Sequence, residues 1–593
     1  MPRPPRPAPG ARLLALLLLA AASACGRAER DAAHAAALGA AGGAAADAAA
    51  PPAPRAIGVA PPPPPRLAGP PPPPPPLRAL AQLSPEHHAR PSRRRAARRA
   101  ARLLRRRHNF DAFFEQAREE RALLSGGAAP PAGCDERVGR GYLERWRGLG
   151  AEFCAPPPGA GGGSRVRCNA HPAADLTVCL AEGLVLDSRA FMGAAPAPDG
   201  LPRAPHGSVR LGCNATSPLR GYLRGRLANE GPRRWLVDAA EFVGPDAVAP
   251  PCADAGAVRR AVVFVSRLDG SNAFHNAEML VHLFLGLATL QLRPELLEHG
   301  LQVVIADDQP PGFFLDVLRR LSHPHPLVNL RSNPFPDGTC FRAAVLAPFV
   351  GHGNSLLAAS AEEVGCPSEL LHAASLWLRE LFYQILPREP EPPEAPAEAQ
   401  LGGLRQLLFL WVSRAQFEAR AREGLTPWQR LRVVPNELEV ITALQQAVYR
   451  WNNASCPLNP GPGCRDTKVF FTFQALELSA LPFYPDQVFA LSRTAVLAGV
   501  HGAGLANALL MEPGRGAVVE AWHGMEDNYH YANLAAALGH AYFNVRSREG
   551  AAPSAAELAA AAARAMSAAA ERQAAPRRPP APLVERLFGG LWG

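Results

Sequence analysis

Apolar and polar positions change their pattern sharply along the chain. Up to about residue 130, Ala, Pro and Arg dominate, and runs such as Pro61–Pro65 and Pro70–Pro76 favour extended polyproline and build no core. From about Cys134 hydrophobic runs, acids and turn residues mix as in a globular protein. From Arg260 short β-branched runs alternate with helical stretches. The strands expected are 261–267, 301–307 and 343–349, with helices over 274–292 and 312–321 between them. Residues 386–403 are rich in Pro and Glu and read as a linker or surface insertion. A second series follows, with strands at 406–414, 468–473, 495–500 and 516–522. Its helices are expected from Asn436, and around 483–493, 503–511 and 527–539; Asn436 serves as N-cap, with Glu439 three residues on.

Strands separated by helices imply parallel sheets with right-handed crossovers. The expected class is therefore α/β: two Rossmann-like domains facing a cleft, after a disordered Pro/Ala/Arg-rich N-terminal stem. The boundaries read as 1–26 for a signal peptide or short anchor, 27–132 for the stem, and 133–385 for a first α/β domain with a cysteine-rich entry. Residues 386–403 are the linker, 404–548 a second α/β domain, and 549–593 a helical tail.

Charge adds less than its total suggests. Ten arginines between Arg90 and Arg107 equal the whole formal excess of +10, so the globular part is near neutral. A solvated basic helix in a stalk accounts for that run more simply than a polyanion contact or a retention signal. Nucleic acid is not an expected partner, because no aromatic residues interleave with the arginines.

The compartment is better marked. Arg3, Arg6 and Arg12 precede an apolar run from Leu13 to Cys25, whose length of about 20 Å falls short of a hydrocarbon core of roughly 30 Å. It fits a signal-peptide core with a small-residue cleavage site at Ala22-Ser23-Ala24, or a short uncleaved anchor holding the protein to a membrane. Asn214-Ala215-Thr216 and Asn453-Ala454-Ser455 are glycosylation sequons. Ten cysteines lie in the globular part, an even number that suggests disulfides in a lumenal protein. Zinc is not expected, since no C-x-x-C pair occurs. Cys168 with Cys179, and Cys456 with Cys464, are spaced as local loops. The chain closes on GGLWG rather than a retrieval tetrapeptide, which favours the Golgi over the endoplasmic reticulum.

The chemistry concentrates at "AVLAGVHGAGLANALL", where a buried strand ends at His501, Gly502, Ala503 and Gly504 and a helix is expected to follow. Glycines admit close backbone approach, and a helix N-terminus favours anions, so the turn suits a diphosphate. A tight strand–helix turn with no ligand explains the same spacing. Glu520 closes the next strand, where a carboxylate can accept ribose hydroxyls.

Several blocks together resemble glycosyltransferase family 61. "HGAGLANALLMEPGRGAVVE" is similar to its signature, and "SRVRC…TVCLAEGLVLD" to its N-terminal cysteine block. "SNAFHNAEML", "CFRAAVLAP" and "RLRVVPNELEV" are similar to its N-x-F/Y-H, C-F-x-x-A and R-x-hydrophobic-x-N-E-x-E segments, in the same order. The resemblance covers about 134–546 and is strongest to members that attach β-1,2-xylose to plant-type N-glycans. It implies a type II enzyme of the Golgi or endoplasmic reticulum, of GT-B fold, with a lumenal catalytic domain. Such an enzyme is inverting and takes its sugar from a UDP-sugar, with UDP-xylose the favoured donor and a glycoprotein N-glycan the acceptor; the residues alone do not fix the donor sugar. It implies that His501, Gly502, Ala503, Gly504 and Asn507 line the nucleotide site and that Arg414 and Arg432 neutralise the diphosphate. Asn436 and Glu437 match the N-E pair. His275 and Glu278 are the candidates for catalytic base. Relatives place an Asp four residues after this histidine, where Met279 stands here, one residue after Glu278. No prosthetic group is implied and, with no D-x-D in the chain, no metal is expected; Asp307-Asp308 is a weaker acidic candidate. An EGF-domain O-GlcNAc transferase is the rival within the family, and a lumenal, non-catalytic glycan-binding protein the rival outside catalysis.

Overall fold

The computed structural model describes residues 108–126, 130–156, 163–171, 176–193, 204–213, 230–253, 256–270, 272–298, 300–312, 314–350, 365–382, 405–414, 434–455, 469–481, 483–523, 528–547 and 552–575. All of them belong to one compact unit, Arg90–Gly593. The linker expected at 386–403, the basic run at 90–107, Arg432, Asn214, Cys456 and Cys464 lie outside the described residues.

Order begins earlier than the sequence reading placed it. Helix α1 (Phe110–Ser125) lies inside the segment assigned to the stem. Asn109 caps it, accepting from the Ala112 N–H, and Phe110, Phe113, Phe114 and Ala117 form a buried stripe at helical spacing. All three phenylalanines pack on Phe284. Helix α2 (Arg140–Gly148) follows.

The first sheet has ten strands: β1 (Gly150–Cys154), β2 (Arg165–His171), β3 (Leu176–Glu182), β4 (Leu184–Leu186), β5 (Val209–Gly212), β6 (Ala240–Val243), β7 (Val258–Val265), β8 (Leu301–Ile305), β9 (Val328–Asn329) and β10 (Thr339–Leu346). Strands β9, β8, β7 and β10 run parallel, as βαβ alternation requires. The far edge of β10 pairs antiparallel with β3 along one half and with β4 along the other. The sheet is therefore mixed, and its antiparallel part is an element that sequence periodicity did not predict.

Helix α3 (Ala273–Leu290) follows β7 and carries both expected base candidates. Its N-terminus is fixed by Asn272, whose side chain accepts from the Phe274 N–H, and its C-terminal carbonyls are capped from a distance. Arg147 donates to the Ala288 carbonyl at 2.9 Å and Arg167 to that of Leu290 at 2.5 Å. Guanidinium groups suit the negative end of a helix, so both ends hold α3 in place. Helix α4 (Glu369–Leu381) packs beside α1 and α3.

The second sheet is wholly parallel: β11 (Arg405–Val412), β12 (Val469–Leu476), β13 (Thr494–Val500), β14 (Ala517–His523) and β15 (Ala541–Ser547). Its spatial order is β12-β11-β13-β14-β15, so the winding reverses between β11 and β13. Side chains alternate between its faces. Phe409, Trp411, Val496, Ala498 and Val519 face one core, under helices α5 (Glu437–Ser455) and α8 (Ala555–Ala574). The tail expected at 549–593 thus contributes a full layer helix. On the other face Leu410, Val412, Leu497 and Val518 join Val263, Ile305 and Val345 of the first sheet, with α3 and α4 between, in one continuous core. Helices α6 (Tyr484–Ser492) and α7 (His530–Leu538) complete this side.

Four disulfides join Cys134–Cys366, Cys154–Cys213, Cys168–Cys179 and Cys252–Cys340. The Cys168–Cys179 loop is as expected. Four bridges mark an oxidising, secretory-pathway environment.

Candidate functional site

In a sheet of this winding, ligands bind beyond the C-terminal strand ends at the reversal, here between β11 and β13. His501 follows β13 directly and continues its ladder, its N–H donating to the Ala521 carbonyl at 2.9 Å. Gly499 lies opposite Glu520 in the register. Two residues on, His501 points to the same face as Gly499 and reaches diagonally to Glu520. Nδ1 of His501 is 2.5 Å from Oε1 of Glu520, and Oε2 accepts from the Tyr542 hydroxyl at 2.5 Å. Tyr542 also accepts from the Trp522 indole N–H at 3.1 Å. His501 is 3% exposed and Glu520 0%.

This overturns one expectation. Glu520 does not meet a ribose: it is sealed, with both oxygens engaged inside the protein. Its work is to hold the His501 ring in one orientation. Burial first, and the Glu520 carboxylate second, push the Tyr542 hydroxyl far above its ordinary range, so it stays a donor. Tyr542 was missed, because nothing in its local pattern sets it apart from a strand residue packing on its neighbour.

The segment after His501 is a 3-10 helix, Ala503–Leu510, instead of the α-helix expected. Gly502 has an extended backbone. Gly504 is small for a packing reason: a Cβ there would lie 2.9 Å from Cγ1 of Val412 at the end of β11. Asn507 turns inward and donates to the Gly504 carbonyl at 3.0 Å, bracing the turn. Ala503 and Gly504 are half-exposed, and the remainder of the segment packs against α3.

The other half contributes a matching pair. Nδ1 of His275 is 2.8 Å from Oε2 of Glu278, one turn along α3. The His275 side chain is 15% exposed and that of Glu278 2%. Met279 is buried in the core. The spacing of three residues explains why a Glu serves at 278, since i and i+3 share a helix face.

A series of ring contacts runs from one pair to the other. Phe274 lies 4.9 Å from the His530 ring and 6.0 Å from Tyr531, and Tyr531 lies 5.0 Å from His501. The His275–Glu278 pair and the His501–Glu520 pair are thus linked through Phe274 and Tyr531. Phe274, His530 and Tyr531 were not singled out from sequence; the signal for Phe274 was its place beside His275.

The N-E pair sits on the other face. Glu437 accepts from the Trp411 indole N–H at 2.8 Å and from the Arg414 backbone N–H at 3.3 Å. A carboxylate in the first turn of α5 also suits the helix dipole. Asn436 occupies the N-cap position, yet its amide donates to Glu439 and to the Pro553 carbonyl, both at 3.1 Å. Glu437 therefore shapes the end of β11, and Asn436 ties the start of α5 to the segment before α8. Arg414 is half-buried at that strand end.

Asp307 and Asp308 are neutralised. Arg267 grips Asp307 with both a 2.8 Å and a 3.2 Å contact, and Arg331 lies 2.9 Å from Asp308. Among the described residues, no group of three or more His, Cys, Asp or Glu is arranged to hold a metal.

No family model matches this chain. No curated protein matches it either.

Proposed function

We propose that the chain is an inverting glycosyltransferase of GT-B-like arrangement that moves a sugar, xylose in the reading favoured here, from a UDP-sugar to a glycoprotein N-glycan in the Golgi lumen. The observation that carries this reading is a pair of imidazole–carboxylate contacts, one from each α/β half, linked through Phe274 and Tyr531, with His501 at the C-terminal end of the strand beside the winding reversal. In each pair a buried carboxylate holds Nδ1 and so fixes the orientation of the imidazole ring.

In this reading the acceptor hydroxyl oxygen attacks the anomeric carbon and its proton passes to Nε2 of His275. The bond to the diphosphate breaks, and its electron pair leaves with UDP. Positive charge and donors are then needed at the leaving group. In this reading His501, held by Glu520, supplies them together with Arg414 and the half-exposed turn at Ala503 and Gly504. The motif series similar to glycosyltransferase family 61 and the four disulfides support the same reading.

Thermal melting with UDP tests it. A ligand that binds only the folded state at a hundred times its Kd stabilises by about 2.7 kcal/mol. UDP at millimolar concentration is expected to raise the Tm, and raise it less in His501→Ala; an unchanged Tm contradicts the proposal.

A further inference from the structure

We propose that Asn453 carries an N-linked glycan whose first sugar packs on Tyr449 and whose branches lie over the groove between α5 and α8. The sequon Asn453-Ala454-Ser455 forms the last turn of α5, and Asn453 and Ala454 are both exposed. Four disulfides place this surface in the compartment where such transfer occurs. The amide nitrogen of Asn453 bonds to the anomeric carbon of an oligosaccharide carried on a lipid diphosphate. The lipid diphosphate leaves, and the amide gives up one proton.

Two structural observations take this beyond the sequon. Tyr449 lies one turn earlier on the same helix face and is 68% exposed, a large aromatic surface with no cover among the described residues. An aromatic ring with a polar tip suits the apolar face of a pyranose, which stacks while its hydroxyls stay wet. The groove beside it, about 1370 Å³, is lined largely by alanines of α8 and by Arg450, Ala454 and Ser455 of α5. A glycan rooted at Asn453 stands at its rim and shields an apolar surface that otherwise invites association.

The structure also assigns the order of events. Ser455 is 1% exposed, and its neighbour Trp451 is bonded to Ser567 of α8. A transferase that must grip the sequon hydroxyl reaches it only before α5 docks on the sheet and on α8. Modification therefore precedes folding of the second half.

The test uses the full chain expressed in a eukaryotic secretory cell. The peptide holding Asn453 is analysed by mass spectrometry after enzymatic deglycosylation in heavy-oxygen water. Conversion of Asn453 to labelled Asp in most molecules is expected; an unmodified peptide overturns the proposal. The second measurement is the rate of glycan release from the native protein. Tyr449→Ala is expected to raise that rate several-fold while leaving release from denatured protein unchanged. Equal native rates would overturn the stacking on Tyr449. Neither readout depends on sugar-transfer activity.

Discussion

The Glu520 carboxylate lies 2.5 Å from the His501 imidazole on one side and 2.5 Å from the Tyr542 hydroxyl on the other, so a residue at the mouth of a parallel sheet is spent inside the protein. Replacing it separates positioning from binding. Glu520→Gln keeps the shape and is expected to lower sugar transfer by about 10²–10⁴-fold, the usual worth of an aligned proton-transfer or donor group. Glu520→Ala leaves two buried polar partners unmet and costs about 1–3 kcal/mol of stability. Denaturant titration beside steady-state kinetics checks both.

Gly504 meets Val412 across the strand end, with only 2.9 Å available to an added Cβ. Gly504→Ala is expected to destabilise by about 1–3 kcal/mol through overpacking. Adding Val412→Ala should recover part of that loss, giving a favourable coupling in a double-mutant cycle. Additive losses would mean that the glycine is required for some reason other than this contact.

Acid should destabilise the fold through His540. Burial lowers its pKa to about 3, from an ordinary value near 6.5, and its Nδ1 accepts from the Gly516 N–H at 3.2 Å. The folded state therefore binds fewer protons than the unfolded chain between these values, and stability falls as pH drops below about 6.5. One such histidine contributes about 1.4 kcal/mol per pH unit there. Denaturation midpoints measured from pH 7 to pH 5 should fall, with a shallower slope in His540→Asn.

The disulfides should differ in weight. Cys134–Cys366 closes a separation of 232 residues and Cys168–Cys179 one of 11. Loop-closure entropy grows with length, so Cys134→Ser paired with Cys366→Ser should cost more, within about 2–5 kcal/mol. Comparing the Tm values of the two double variants decides the order.

Much of the architecture was legible because buried parallel strands are continuous apolar runs. β7, β8, β11, β13 and β14 all stood out, as did the apolar helix α3. The strands between Gly150 and Val243 did not, being short and broken by Gly and Pro. Helix α1 was lost in the composition of the segment before it, although Asn109 and the phenylalanine spacing mark it. At the site, His275, Glu278 and His501 stood out in the sequence because they come just after strands β7 and β13. The role of Glu520 was not, because a carboxylate at a strand end faces ligand or neighbour according to register. Gly499 opposite it and Tyr542 two residues before Asn544 settle the matter, and both depend on pairings that no local pattern specifies.

The most direct test of sugar transfer is incubation of the secreted protein with a panel of UDP-sugars and N-glycan acceptors, read by acceptor mass. The account predicts a pentose increment from UDP-xylose, lost in His275→Ala while UDP still raises the Tm of that variant. An unchanged acceptor with every donor, or full transfer by His275→Ala, would contradict it.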